Sequence, residues 1–171
     1  MHDSALLADC VDARRAGPPD LRQASARGGV SIGTGRTATF ETATAVFNYL
    51  PQVGSIGVLA FNMTNPTDSS AGAFGGDVLA LTLNVRFSDA DLLAHTSWTA
   101  LGDLHICGFS ILPSQTVRQF LANANTVLGG GSIAGLTPNF ADIVADSING
   151  AFVGGAPSTF AQSYLVNGSC A

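Results

Sequence analysis

The stretch Ala73–Phe87 reads Ala-Phe-Gly-Gly-Asp-Val-Leu-Ala-Leu-Thr-Leu-Asn-Val-Arg-Phe, and it is the segment on which helix and strand compete most evenly. Leu79, Leu81, Leu83, Val85 and Phe87 alternate with Ala80, Thr82, Asn84 and Arg86, the period of a half-buried strand. Phe74, Val78, Leu81 and Val85 instead fall at helical spacing. Leucine and alanine outnumber β-branched residues, which favours a buried helix, with a strand as the alternative.

Other helices are easier to place. Val117, Phe120, Leu121, Ala124 and Leu128 form an apolar stripe over 116–128, with Ser114 available as a cap and Gly129-Gly130-Gly131 as a stop. Residues 138–152 follow the same logic: Thr137 is the cap, Pro138 takes the first helical position, and Phe140, Ile143, Val144, Ile148 and Phe152 make the stripe. A third stripe, Phe40, Ala43, Val46, Phe47 and Leu50, ends at Pro51. Residues 158–166 read as a last short helix or turn, and Leu104–Phe109 as an extended segment. The expected fold is therefore mainly α: a single domain of four or five short helices with one short extended segment. An α+β fold is the alternative if 78–87 and 104–109 pair as strands.

Residues 1–36 read as a polar, flexible N-terminal arm, broken by Pro18-Pro19 and Gly28-Gly29, and residues 37–171 as the globular body. Charged residues make up only 11% of the chain against a typical share of about 25%, while 46% is hydrophobic, so the body has ample apolar surface with which to fold.

There is no lysine, and five of the seven arginines lie in the first 36 residues. The body sets Arg86 and Arg118 against eight acids, too little positive charge for nucleic acid and the wrong sign for an anionic membrane. No apolar run approaches the roughly 18 residues of a membrane span. The N-terminus offers only Ser4–Ala8 where an export leader would need an apolar core.

The cysteines are Cys10, Cys107 and Cys170, without the C-x-x-C spacing of a zinc ribbon or a thioredoxin-like pair. A disulfide from Cys107 to Cys170 would staple the C-terminus and leave Cys10 odd; the alternative is three free thiols with Cys107 buried.

The run Thr64-Asn65-Pro66, followed by Ser70–Val85, Leu101-Gly102-Asp103-Leu104, Thr116-Val117 and Ala124–Gly130, resembles a module of large secreted and surface proteins of bacteria. The likeness spans roughly residues 40–166. It implies an extracellular or cell-surface setting and carries no activity, cofactor or catalytic residue with it. The arm lies outside the pattern.

Several constellations have residue types competent for chemistry. Asp103, His105 and Cys107 would share one face of an extended segment and are competent metal ligands, with His95 as a fourth. Asp103, His105 and His95 are also the acid–base candidates for a small, metal-assisted hydrolase. The structural alternative is a strand whose polar face carries Asp103 and His105 while Cys107 turns inward. Asn62, Asn65 and Asp68, or Ser88, Asp89 and Asp91, offer hard oxygen donors for calcium but lack the EF-hand spacing. Gly33-Thr34-Gly35-Arg36 resembles a phosphate loop only in its glycines and reads as a linker. Ser132 sits one place too early for a nucleophile elbow. Trp98 and Tyr49 could stack on a sugar, although such aromatics more often belong to a core. The function expected is a non-enzymatic structural or binding module, with another extracellular protein or a carbohydrate as partner; the hydrolase is the alternative.

Overall fold

A computed structural model of the chain describes residues 29–92, 99–109, 112–154 and 156–170. Among these, five α-helices and eight short strands in three small sheets make a mixed α+β fold, which corrects the mainly α expectation. Every strand is two or three residues long, too short to leave a periodic signature in the sequence.

The first sheet opens the described part of the chain. Strand β1 (Val30–Ile32) pairs antiparallel with β2 (Ala38–Phe40) in the register Val30↔Phe40, Ser31↔Thr39, Ile32↔Ala38. Val30, Ile32, Ala38 and Phe40 point into the core, while the Ser31 and Thr39 hydroxyls meet at 2.9 Å on the outer face. This hairpin brings residues 30–36, assigned to the arm from sequence, into the packed body. It also shortens the first predicted helix. Helix α1 spans Ala43–Tyr49 and begins only after Thr42, whose hydroxyl accepts the Ala45 N–H at 3.1 Å. Strand β3 (Met63–Thr64) adds to β2 in parallel.

Helix α2 (Ala73–Asp89) is the axis of the molecule. Leu79, Leu81, Leu83 and Val85 are buried, but so are Ala80, Thr82 and Asn84, the positions a half-buried strand would have turned to solvent. A segment buried on all sides suits a central helix, so 78–87 is helical and does not pair with 104–109. The buried polar residues on it have hydrogen-bond partners. The Thr82 hydroxyl donates to the Val78 carbonyl at 2.7 Å, and the Asn84 amide donates to the Asn149 side chain at 3.0 Å.

A 3₁₀ turn (Leu101–Asp103) leads into β4 (His105–Ile106), the centre of a second sheet. One neighbour is β5 (Gln115–Thr116), which runs straight into α3 (Val117–Leu128). Helix α3 starts with a capping box: the Thr116 hydroxyl accepts the Gln119 N–H, and the Gln119 side chain accepts the Thr116 N–H at 2.8 Å. Thr116, not Ser114, is therefore the cap. Phe120, Val117, Ala124 and Leu128 are fully buried against α2, as their stripe predicts.

Helix α4 (Pro138–Asn149) has the expected Thr137 cap and Pro138 start. It faces α2 with Ala141, Val144, Ala145 and Ile148, leaving Ile143 60% exposed. A hairpin of β6 (Phe152–Val153) and β7 (Ala156–Pro157) leads to α5 (Thr159–Tyr164). Strand β8 (Leu165–Val166) then returns to the far side of β4, giving the order β5-β4-β8.

Candidate functional site

Charged side chains are rare in this fold, so their positions are informative. The most perturbed lie on the seam between α2 and α4. Asp77, in the first turns of α2, shares a side-chain hydrogen bond with Asp142 of α4, and Asp146 stands one turn further along. Burial, then the Asp142 charge, pushes the Asp77 carboxyl up to about 8, and burial also raises Asp142. Burial and the neighbouring acidic charges therefore both favour the protonated form of Asp77, and Asp142 keeps a buried Oδ1 without a hydrogen-bond partner. The seam continues through Asn149, whose amide donates to the Asp77 main-chain carbonyl at 3.0 Å.

Sequence reasoning passed over Asp77 and Asp142. The available signals were a carboxylate with no charged neighbour until Arg86 in an apolar run, and two aspartates four apart on one helix face. The bulky stripe through Ile143 pointed the wrong way. Ala141 and Ala145 let the helices approach, and that rotation carries Asp142 into the seam.

A second cluster joins α2 to the region after it. The Arg118 guanidinium binds Asp89 through both oxygens at 2.8 Å and reaches Asp103 at 3.2 Å. Hydrogen bonding from Arg118 holds the Asp89 carboxyl below its ordinary range. Asp103, the proposed ligand and acid–base group, is thus engaged by a cation. His105 lies half-buried in β4, its Nδ1 buried with no hydrogen-bond partner. Cys107 is closed into a disulfide with Cys170 (Cα–Cα 5.7 Å), which removes the thiolate a metal would need. Asp103, His105 and Cys107 are not brought into one ligand set, and among the described residues no three His, Cys, Asp or Glu side chains converge to hold a metal ion. His95 and Trp98 lie outside the described residues, as does Cys10.

The calcium candidates have structural partners. Asn62 accepts the Thr37 N–H, Asn65 bridges to the Glu41 main chain and carboxylate, and Asp68 accepts the Ser69 N–H. Ser88 accepts the Leu101 N–H, and Asp91 occupies a left-handed turn at φ 59°. The Gly33–Arg36 turn is the tip of the β1–β2 hairpin. Its Gly33 and Thr34 N–H groups donate to Asn125, at 2.6 and 2.9 Å. Tyr49 is buried, edge-on to Phe40 and hydrogen-bonded to Ser69 at 2.7 Å, so it belongs to the core and offers no sugar platform.

Ser132 borders an open cleft of about 360 Å³ floored by Val58, Val127, Ile133, Leu136 and Pro138. The Arg36 guanidinium packs at its edge against Gly130 and donates to the Leu59 carbonyl at 2.6 Å. The cleft can receive a small apolar group, but no base stands beside Ser132 among the residues that line it. Among the described residues no helix is long and apolar enough to cross a membrane. No protein-family model, curated protein or solved structure matches the chain.

Proposed function

We propose that the chain is a non-enzymatic structural or binding module of a bacterial extracellular or cell-surface protein. The observation that carries this reading is the Cys107–Cys170 disulfide, a cross-link that persists in oxidising compartments. The resemblance of residues 40–166 to modules of secreted and surface proteins supports the same setting. The chemistry around the disulfide is structural in character: Asp103 is tied to Arg118, and both cysteines beside the second sheet are spent on the cross-link. Binding in such a module falls to neutral surfaces, rich in Ser, Thr and Asn, and to clefts such as the one beside Ser132.

Localisation and chemistry test the two halves separately. Antibody detection and protease shaving of intact producing cells should find the protein outside the membrane with Cys107 and Cys170 linked. A cytoplasmic protein with free thiols at both positions overturns the setting. A panel of ester, peptide, glycoside and phosphoester substrates should show no turnover. Turnover that His105→Ala abolishes, in a variant that still folds, overturns the non-enzymatic assignment and restores the hydrolase.

A further inference from the structure

The chain contains two Asn-Gly dipeptides, Asn149-Gly150 and Asn167-Gly168, and the fold treats them in opposite ways. Glycine after asparagine leaves the following main-chain nitrogen unshielded by a Cβ, so that nitrogen can reach the asparagine side-chain carbonyl when the backbone is free to turn. Asn149 closes α4 and is 8% exposed. Its amide donates to the Asp77 carbonyl at 3.0 Å and its oxygen accepts from Asn84 at 3.0 Å. The attacking nitrogen is engaged too, because the Gly150 N–H donates to the Asp146 carbonyl at 3.0 Å.

Asn167 has none of this. It lies in an exposed bend beyond β8, and its side chain makes no hydrogen bond among the described residues. Gly168 follows at φ 96°, and the space where a Cβ would stand is empty to 4 Å. Its N–H has no backbone partner among the described residues.

We propose that Asn167 is a site of spontaneous deamidation, from which the fold protects Asn149. Solvent base takes the proton from the Gly168 main-chain nitrogen, which attacks the Asn167 side-chain carbonyl carbon. The new N–C bond closes a five-membered imide as the bond to Nδ2 breaks and ammonia leaves. Water then opens the imide at either carbonyl, giving aspartate or isoaspartate. Each event adds a negative charge to a chain of net charge −5, between β8 and the disulfide. The isoaspartate product also lengthens the main chain there by a methylene. The protein would therefore accumulate a more acidic form with age, without any enzyme.

The test is peptide mapping by mass spectrometry of native, oxidised protein held in mildly alkaline buffer, beside a reduced, denatured sample. In the native protein the amide-to-acid conversion should appear at Asn167 and run at least about tenfold slower at Asn149, which must first open locally. In the denatured chain both sites should convert at comparable rates. Asn167→Gln should abolish the acidic form on anion exchange and leave the unfolding midpoint unchanged. Equal conversion at both sites in the native protein overturns the proposal. So does an unreacted native Asn167 while the denatured chain reacts, or an acidic form that persists in Asn167→Gln.

Discussion

Asp77 and Asp142 meet where two helices would otherwise make an apolar contact, and the consequence is a stability that depends on pH. The native Asp77 carboxyl binds its proton more tightly than an unfolded one, about 8 against an ordinary value near 3.9. Its contribution is complete below about pH 4, declines as the unfolded state ionises, and is gone above about pH 8; the loss is on the order of a few kcal/mol. The raised Asp142 acts in the same direction. Asp89 acts in the opposite one: its depressed carboxyl contributes above about pH 4 and loses that contribution as acid protonates it. Asp77→Asn keeps a donor facing Asp142 and removes the titration. Its denaturant midpoint should match wild type near pH 4 and exceed it near pH 8, flattening the fall between. A variant whose midpoint tracks wild type throughout would place the titration elsewhere.

Helices declare themselves in a sequence through stripes and caps, and that is where the sequence was legible here. The α3 stripe is buried residue for residue, and Thr137-Pro138 opens α4 as its chemistry requires. Phe120 has no exposed surface, so Phe120→Ala should cost about 3–5 kcal/mol in an unfolding titration; a midpoint unchanged within error would remove α3 from the core. What could not be read was set by contacts distant in sequence. Val30–Ile32 is a strand because it pairs with 38–40, a partnership that nothing within those three residues announces. The segment 78–87, by contrast, is the buried helix that its leucine and alanine content favours, surrounded by α3, α4 and β1. Distant contacts also decide the candidate sites: Asp103-x-His105-x-Cys107 has ligand chemistry in sequence, and only Arg118 and Cys170 show where those groups are spent. Gly129-Gly130-Gly131 was legible as a helix stop, but its close packing was not. A Cβ at Gly129 would collide with the Thr34 backbone at the tip of the β1–β2 hairpin. Gly129→Ala should therefore cost roughly 1–3 kcal/mol through overpacking, with the largest increase in hydrogen exchange at 33–36. An alanine variant as stable as wild type would mean that the hairpin tip docks loosely.

At the scale of the whole molecule, the C-terminal segment is an attachment and the disulfide is its principal fastening. The buried core cluster runs from Val30 to Ile148 and takes in Ile106 of β4, with Phe152, Phe160 and Leu165 packed partly buried against it. The chain beyond residue 150 is held by a two-residue ladder from β8 to β4, by the Cys107 N–H to the Tyr164 carbonyl at 2.9 Å, and by a satellite cluster of Phe109, Phe140, Phe160 and Tyr164. None of those rings is fully buried, so each contributes less than a core aromatic. The cross-link joins residues 63 apart in sequence, and on chain entropy alone a loop of that size contributes roughly 4 kcal/mol. Replacing both cysteines, Cys107→Ser with Cys170→Ser, should lower the unfolding free energy by about that amount. It should also separate two events that the cross-link couples. Hydrogen exchange across 156–170 should accelerate under native conditions while α2 keeps its protection, because the buried cluster around α2 draws its residues from 30–148. Thiol counting in the denatured, non-reduced wild-type protein should find no thiol at Cys107 or Cys170, with the two recovered as a linked peptide. If the double replacement loosened α2 as much as the C-terminal segment, the segment would be part of the cooperative core. If it changed neither stability nor exchange, the ladder and the aromatic cluster would hold the C-terminus unaided.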